Sequence, residues 1–107
     1  MTDNINELSV ENFKEFIKEG KCIVDFYADW CMPCQRMKTI FENVAKELSG
    51  KIKFGKLNIE GNEEITQEYL VMSIPTLIFF RDGEEISRIN GLVSEEEIKK
   101  SIKATFK

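Results

Sequence analysis

Histidine is absent from this 107-residue chain. Its absence removes Ser-His and Cys-His nucleophile pairs, imidazole proton shuttles and every zinc site with a histidine ligand. No apolar run approaches the roughly 18 residues needed to cross a bilayer. Residues 1–9 lack the basic-then-apolar layout of a secretory signal, so the chain reads as soluble, cytoplasmic and free of membrane contact, with its first residues part of the fold. Excess positive charge is missing too. With 15 Lys and Arg against 19 Asp and Glu the formal charge is −4, which speaks against a nucleic-acid groove, because phosphate binding rests on concentrated Lys and Arg. There is no repeat, no low-complexity tract and no Pro/Gly/Ser linker, and with 42% hydrophobic residues residues 1–107 read as one domain with a real core.

What is present is punctuated like an α/β protein. Residues 5–8 suit a short edge strand. Ser9 is placed to cap a first helix carrying Val10, Phe13, Phe16 and Ile17, with Gly20 at its end. Residues 22–28 form a nearly continuous apolar run of strand formers, as in a strand buried on both faces. Pro33, tolerated at a first helical position, opens a long helix with an apolar stripe through Met37, Ile40, Phe41, Val44, Ala45 and Leu48, ended by Gly50. Residues 51–58 read as a strand, Asn62 as the cap of a short helix to about Tyr69, and residues 76–80 as a strong strand. Asp82-Gly83 is a two-residue hairpin turn before a return strand at 85–89. Ser94 to Glu97 forms a capping-box pattern ahead of a last helix bearing Ile98, Ile102 and Phe106. Early strand–helix–strand units imply parallel neighbours and the hairpin adds antiparallel ones. A mixed sheet with helices on both faces follows.

Three cysteines remain to be explained: Cys22, Cys31 and Cys34. An odd number with no secretory signal is not a disulfide scaffold, and a Cys-x-x-Cys pair in an α/β chain reads as redox chemistry first and metal second. Residues three apart on a helical turn face one another, so the two sulfurs reach bonding distance with little strain. Unpaired N–H groups and the helix dipole stabilise a thiolate there. Cys31, outside the helix, is placed to attack and Cys34, one turn in, to resolve. The competing readings are a zinc site that would need Cys22 plus a carboxylate, a metal cluster shared between two chains, or two unreactive thiols. Cys22 by itself reads as a small buried hydrophobe, with a regulatory thiol as the alternative.

Asp25 interrupts Ile23-Val24 and Phe26-Tyr27. Burying a carboxylate there is costly unless it is partnered or protonated, and a raised pKa would let it take the proton of Cys34. Otherwise it would bond backbone at a strand end. Lys56, on the next strand, is placed to modulate it, or is an ordinary exposed lysine. Pro75 marks the start of a strand, its peptide isomer open.

Together these residues resemble the thioredoxin family. The resemblance runs from Ile5 to Phe106 and rests on residues 24–34 (Val-Asp-Phe-Tyr-Ala-Asp-Trp-Cys-Met-Pro-Cys), Lys56-Leu-Asn-Ile59, Ile74-Pro-Thr-Leu77, Asp82-Gly83 and Gly91. It implies the thioredoxin fold, a five-stranded mixed sheet flanked by four helices. It also implies a nucleophilic Cys31, a resolving Cys34, Asp25 as buried proton acceptor and a cis Pro75 beside the pair. Trp30, Met32, Pro33, Ile59, Ile74, Pro75, Gly91 and Leu92 would form an apolar docking surface, with substrate backbone pairing beside Ile74. The implied activity is reduction of protein disulfides by a monomer. Its partners would be disulfide-containing proteins and a thioredoxin reductase, either flavin- and NADPH-dependent or ferredoxin-linked; the chain itself carries no cofactor or metal motif.

Three positions depart from the family pattern. Met32 stands for Gly in the redox loop, Gln35 for a Lys whose charge would favour the thiolate, and Thr39 for a helix-kinking proline, which predicts a straighter helix. Met32 therefore opens a second reading, a specialised donor or an oxidase or isomerase with fewer partners. A third is a scaffold that uses the apolar surface without redox chemistry.

Overall fold

The computed structural model describes residues 4–107; the expectation that the first residues belong to the fold lies, for residues 1–3, outside that range. The chain runs β1 (Ile5–Leu8), α1 (Phe13–Ile17), β2 (Lys21–Tyr27), α2 (Met32–Leu48), β3 (Lys53–Asn58), α3 (Glu63–Glu68), β4 (Thr76–Arg81), β5 (Glu84–Asn90) and α4 (Glu95–Thr105). The strands form one sheet in the order β1-β3-β2-β4-β5. β3 lies parallel to both β1 and β2, while β4 is antiparallel to β2 and to β5. This is the five-stranded mixed sheet with four helices that the thioredoxin fold requires.

Successive strand side chains point to opposite faces, and the apolar runs of β2 and β4 fill both. Ile23, Leu77 and Phe79 pack with Phe41 and Val44 of α2 and with Ile98 and Ile102 of α4. Val24, Phe26, Ile78 and Phe80 pack with Phe13 and Ile17 of α1 and Ile65 of α3. β2 is therefore the central strand between two hydrophobic layers, and its alternation puts Asp25 on the same face as Ile23, under α2. Cys22 falls on the other face, fully buried in the α1 and α3 layer.

The punctuation behaves as its chemistry dictates in most places. Asp82 and Gly83 both take positive φ and turn Arg81 directly back onto Glu84. Ser94 Oγ accepts from Glu97 N at 3.1 Å, and Thr39 lies within one continuous 17-residue helix. The strand expected at 51–58 starts at Lys53, and two helix starts differ. Ser9 does not cap α1: its N–H donates to Asn12 Oδ1 at 2.8 Å and its hydroxyl to Glu11. A turn through residues 10–12 results, and the helix starts at Phe13. Pro33 takes the second helical position rather than the first, because Met32 already has helical geometry and Cys31 is the cap.

Gly55 on β3 lies directly against Leu8 of β1 and Phe16 of α1. A Cβ there would stand 2.7 Å from Leu8 Cδ1 and 3.0 Å from Phe16 Cε2. Gly55→Ala is expected to cost about 1–3 kcal/mol, seen as a lower urea midpoint with unchanged slope. An unmoved midpoint would show that Leu8 and Phe16 can give way.

Candidate active site

Three elements converge at the end of β2: the turn into α2, the loop before β4, and the segment after β5. Cys31 and Cys34 are joined by a disulfide, with Cα atoms 5.2 Å apart. Cys31 has extended backbone and is the N-cap of α2; its sulfur accepts from Cys34 N at 3.2 Å. The same N–H that meets the sulfur in the disulfide is in place to meet a thiolate, and with the helix dipole it favours the charged form. Met32 and Pro33 occupy the exposed first turn, and Gln35 Nε2 donates to Asp29 O at 2.9 Å, tying that turn to the end of β2.

The Ile74-Pro75 peptide is cis. Pro75 is buried and precedes β4 directly, as expected of a strand start. Cys31 Sγ lies 3.9 Å from Ile74 O, and Ile59 and Ile74 pack against the cysteine pair. Gly91, at positive φ, donates its N–H to Pro75 O at 2.8 Å, bringing the segment after β5 alongside. Leu92 follows it and is partly exposed. Trp30 is 64% exposed and Met32 65%. Of the residues named from the sequence, Cys34, Ile59 and Ile74 thus pack with Cys31, and Gly91 is bonded to Pro75.

Asp25 is 4% exposed, and its Oδ1 has no hydrogen-bond partner. It does not bond backbone at a strand end, so that reading is corrected. Burial pushes its pKa up to about 8, while Lys56 pulls the other way. A pocket of about 430 Å³ opens beside it, lined by Tyr27, Asp29, Cys34, Gln35, Lys38 and Lys56. Lys56 pairs with Asp25 in the strand register and is not an ordinary exposed lysine: its side chain is 26% exposed and bridges to Glu7 at 3.6 Å. Cys22 donates to Phe16 O at 3.6 Å, and burial pushes its thiol up. It behaves as a small core residue in the opposite layer, so the zinc reading that needed it beside the pair is not met.

Other contributors were missed from the sequence. Glu60 accepts from Trp30 Nε1 at 2.9 Å and fixes the indole over the site. Thr76 donates to Ser73 O at 2.7 Å and Arg88 to Tyr69 O at 2.7 Å, anchoring the loop that carries Pro75. Glu60 and Arg88 read locally as solvated polar residues and only their tertiary partners distinguish them, whereas Thr76, buried, lies in the Ile74–Leu77 stretch already singled out.

The sequence is similar to those of known proteins. The family model described as Thioredoxin matches residues 4–104. A thioredoxin of Chlamydia pneumoniae is 47% identical over 89 residues, 83% of this chain and 86% of that protein. One of Buchnera aphidicola subsp. Acyrthosiphon pisum is 41% identical over 99 residues, 91% and 92% of the two chains. One of Chlamydia caviae is 38% identical over 94 residues, 88% and 91%.

Folded Asp25 holds its proton to about pH 8, whereas the ordinary value is 3.8. Below that ordinary value both folded and unfolded chains are protonated. As pH rises from about 4 to 8 only the unfolded chain ionises, so folding loses stability across that window. Asp25→Ala removes the penalty. The oxidised variant is expected to exceed the parent by about 2–4 kcal/mol at pH 8 and to lose that advantage near pH 4, measured by urea unfolding. An advantage of equal size at both pH values would contradict the assignment.

Proposed function

This chain belongs to the thioredoxin family, and from that premise we propose how its cysteines, its buried carboxyl and its apolar rim divide the work. It is a protein disulfide oxidoreductase. The observation that carries the mechanism is the Cys31–Cys34 disulfide spanning the first turn of α2. In the reduced form Cys31 is the thiolate, steadied by Cys34 N–H and the helix dipole. It attacks one sulfur of a substrate disulfide, forming a mixed disulfide and expelling the other substrate sulfur as thiolate. Cys34 then gives its proton to Asp25 and attacks Cys31 Sγ. The Cys31–Cys34 bond closes, the second substrate sulfur leaves, and two electrons have passed to the substrate.

Asp25 suits the transfer because its carboxylate form is poised near the working pH, in the pocket that Cys34 also lines. Lys56 acts on it through charge. Trp30, Met32, Pro33, Ile59, Ile74, Pro75, Gly91 and Leu92 receive the substrate, whose backbone pairs beside Ile74 in the manner of strand addition. The Met32 thioether supplies an adaptable apolar contact at that rim. The narrowed-specialist and scaffold readings are not favoured.

The partners are disulfide-bearing proteins and a thioredoxin reductase of the flavin and NADPH type or the ferredoxin-linked type, placing the chain in electron transport and cell redox homeostasis. The unpaired, buried Cys22 thiol supports a reducing compartment, the cytoplasm. No helix among the described residues is long and apolar enough to cross a membrane. The domain works as a monomer, its exposed Trp30 and Met32 used for transient docking rather than assembly.

Cys34→Ser leaves the attack intact and removes the resolving thiol. Reduced Cys34→Ser mixed with a disulfide-bonded protein is expected to accumulate a covalent adduct through Cys31, reversed by dithiothreitol and visible in intact-mass spectra, while Cys31→Ser accumulates none. Adducts formed through Cys34 in Cys31→Ser, with none in Cys34→Ser, would reverse the assigned roles.

A further inference from the structure

The strand register lines up three charges that lie far apart in sequence. Glu7 on β1 pairs with Lys56 on β3, and Lys56 pairs with Asp25 on β2. Residues paired in register project from the same face of a sheet, so the lysine stands between two carboxyl groups, one at the sheet edge and one inside. It is joined to the outer one. Lys56 Nζ lies 3.6 Å from Glu7 Oε1 and 5.7 Å from the centre of the Tyr27 ring. Tyr27 Oη donates to Glu7 Oε2 at 3.0 Å, fixing the carboxylate that holds the ammonium. The inner Asp25 Oδ1 is left without a partner.

We propose that Glu7 is a positioning residue: with Tyr27 it holds the Lys56 ammonium at the outer side of this row, away from Asp25, and so tunes how tightly Asp25 keeps its proton. Other groups face Asp25 as well. α2 presents Cys34 and Lys38, the end of β2 presents Tyr27 and Asp29, β3 presents Lys56, and β4 opposes it with the apolar Leu77. Of these, Lys56 is the cation on the adjoining strand, and its other attachment is Glu7. Neutralising Glu7 frees the ammonium to move inward, which favours the Asp25 carboxylate.

The inference rests on the reading of Asp25 as proton acceptor for Cys34, but its test does not. The oxidised protein, in which neither Cys31 nor Cys34 titrates, is labelled with 13C at aspartate carboxyls and titrated by NMR. Glu7→Gln is expected to lower the Asp25 midpoint by about half a pH unit or more, and Tyr27→Phe to lower it by less. In a Lys56→Gln background the Glu7 change should have less than half that effect. An unmoved midpoint in Glu7→Gln would overturn the proposal. So would an equal shift with and without Lys56, which would mean that Glu7 acts on Asp25 directly. If the midpoint falls but the pH profile of mixed-disulfide release does not follow it, the positioning role stands and the proton-acceptor reading of Asp25 is what fails.

Discussion

A carboxyl group moved out of water without a hydrogen-bond partner costs a protein several kcal/mol in its charged form, and this fold accepts that cost on its central strand. Asp25 faces α2 one residue from two fully buried neighbours, Val24 and Phe26. The sheet cannot relieve it: β3 offers Lys56, which is engaged with Glu7, and β4 offers Leu77. Asp25 opens toward the pocket shared with Cys34. A group that is neutral at rest and chargeable near neutral pH thereby lines the same cavity as Cys34, the sulfur that loses a proton in the proposed second half of the reaction.

The two cysteines divide their labour for reasons set by backbone geometry. Cys31 lies outside α2 in extended conformation, where its sulfur meets the helix's unsatisfied N–H groups. Cys34 lies one turn in, 3% exposed, beside Asp25 in the same cavity. In the proposed mechanism one sulfur is stabilised as an anion and the other is held back until a base acts. The surrounding rim comes from four chain segments, and each is tethered: Trp30 by Glu60, Ile59 by Tyr27 O, the loop before Pro75 by Thr76 and Arg88, and Gly91 by Pro75 O.

Much of this was legible before any coordinates. The nearly continuous apolar run at 22–28 reads as a strand buried on both faces, and Asp25 stands out against that run. Asp82-Gly83 specified its turn because both residues accept positive φ. The start of α1 was less legible, since Ser9 and Asn12 are both good capping residues and the choice fell to side-chain bonds within the turn. Glu60 and Arg88 carried no signal. Lys56 is readable as a neighbour of Asp25 from the strand order, but the place of Glu7 in the row is not: strand register is set by packing across the whole sheet, and residue 7 has no local relation to residues 25 and 56.

The central claim is that Asp25 takes the proton from Cys34. Its most direct test is the rate at which a preformed mixed disulfide on Cys31 is released, followed by rapid quench from about pH 6 to 9.5 in the parent and in Asp25→Asn. The account predicts an inflection near the Asp25 value of about 8 in the parent, and in the variant a slower release that rises with pH through that region without it. The same inflection and the same rates in both proteins would contradict it.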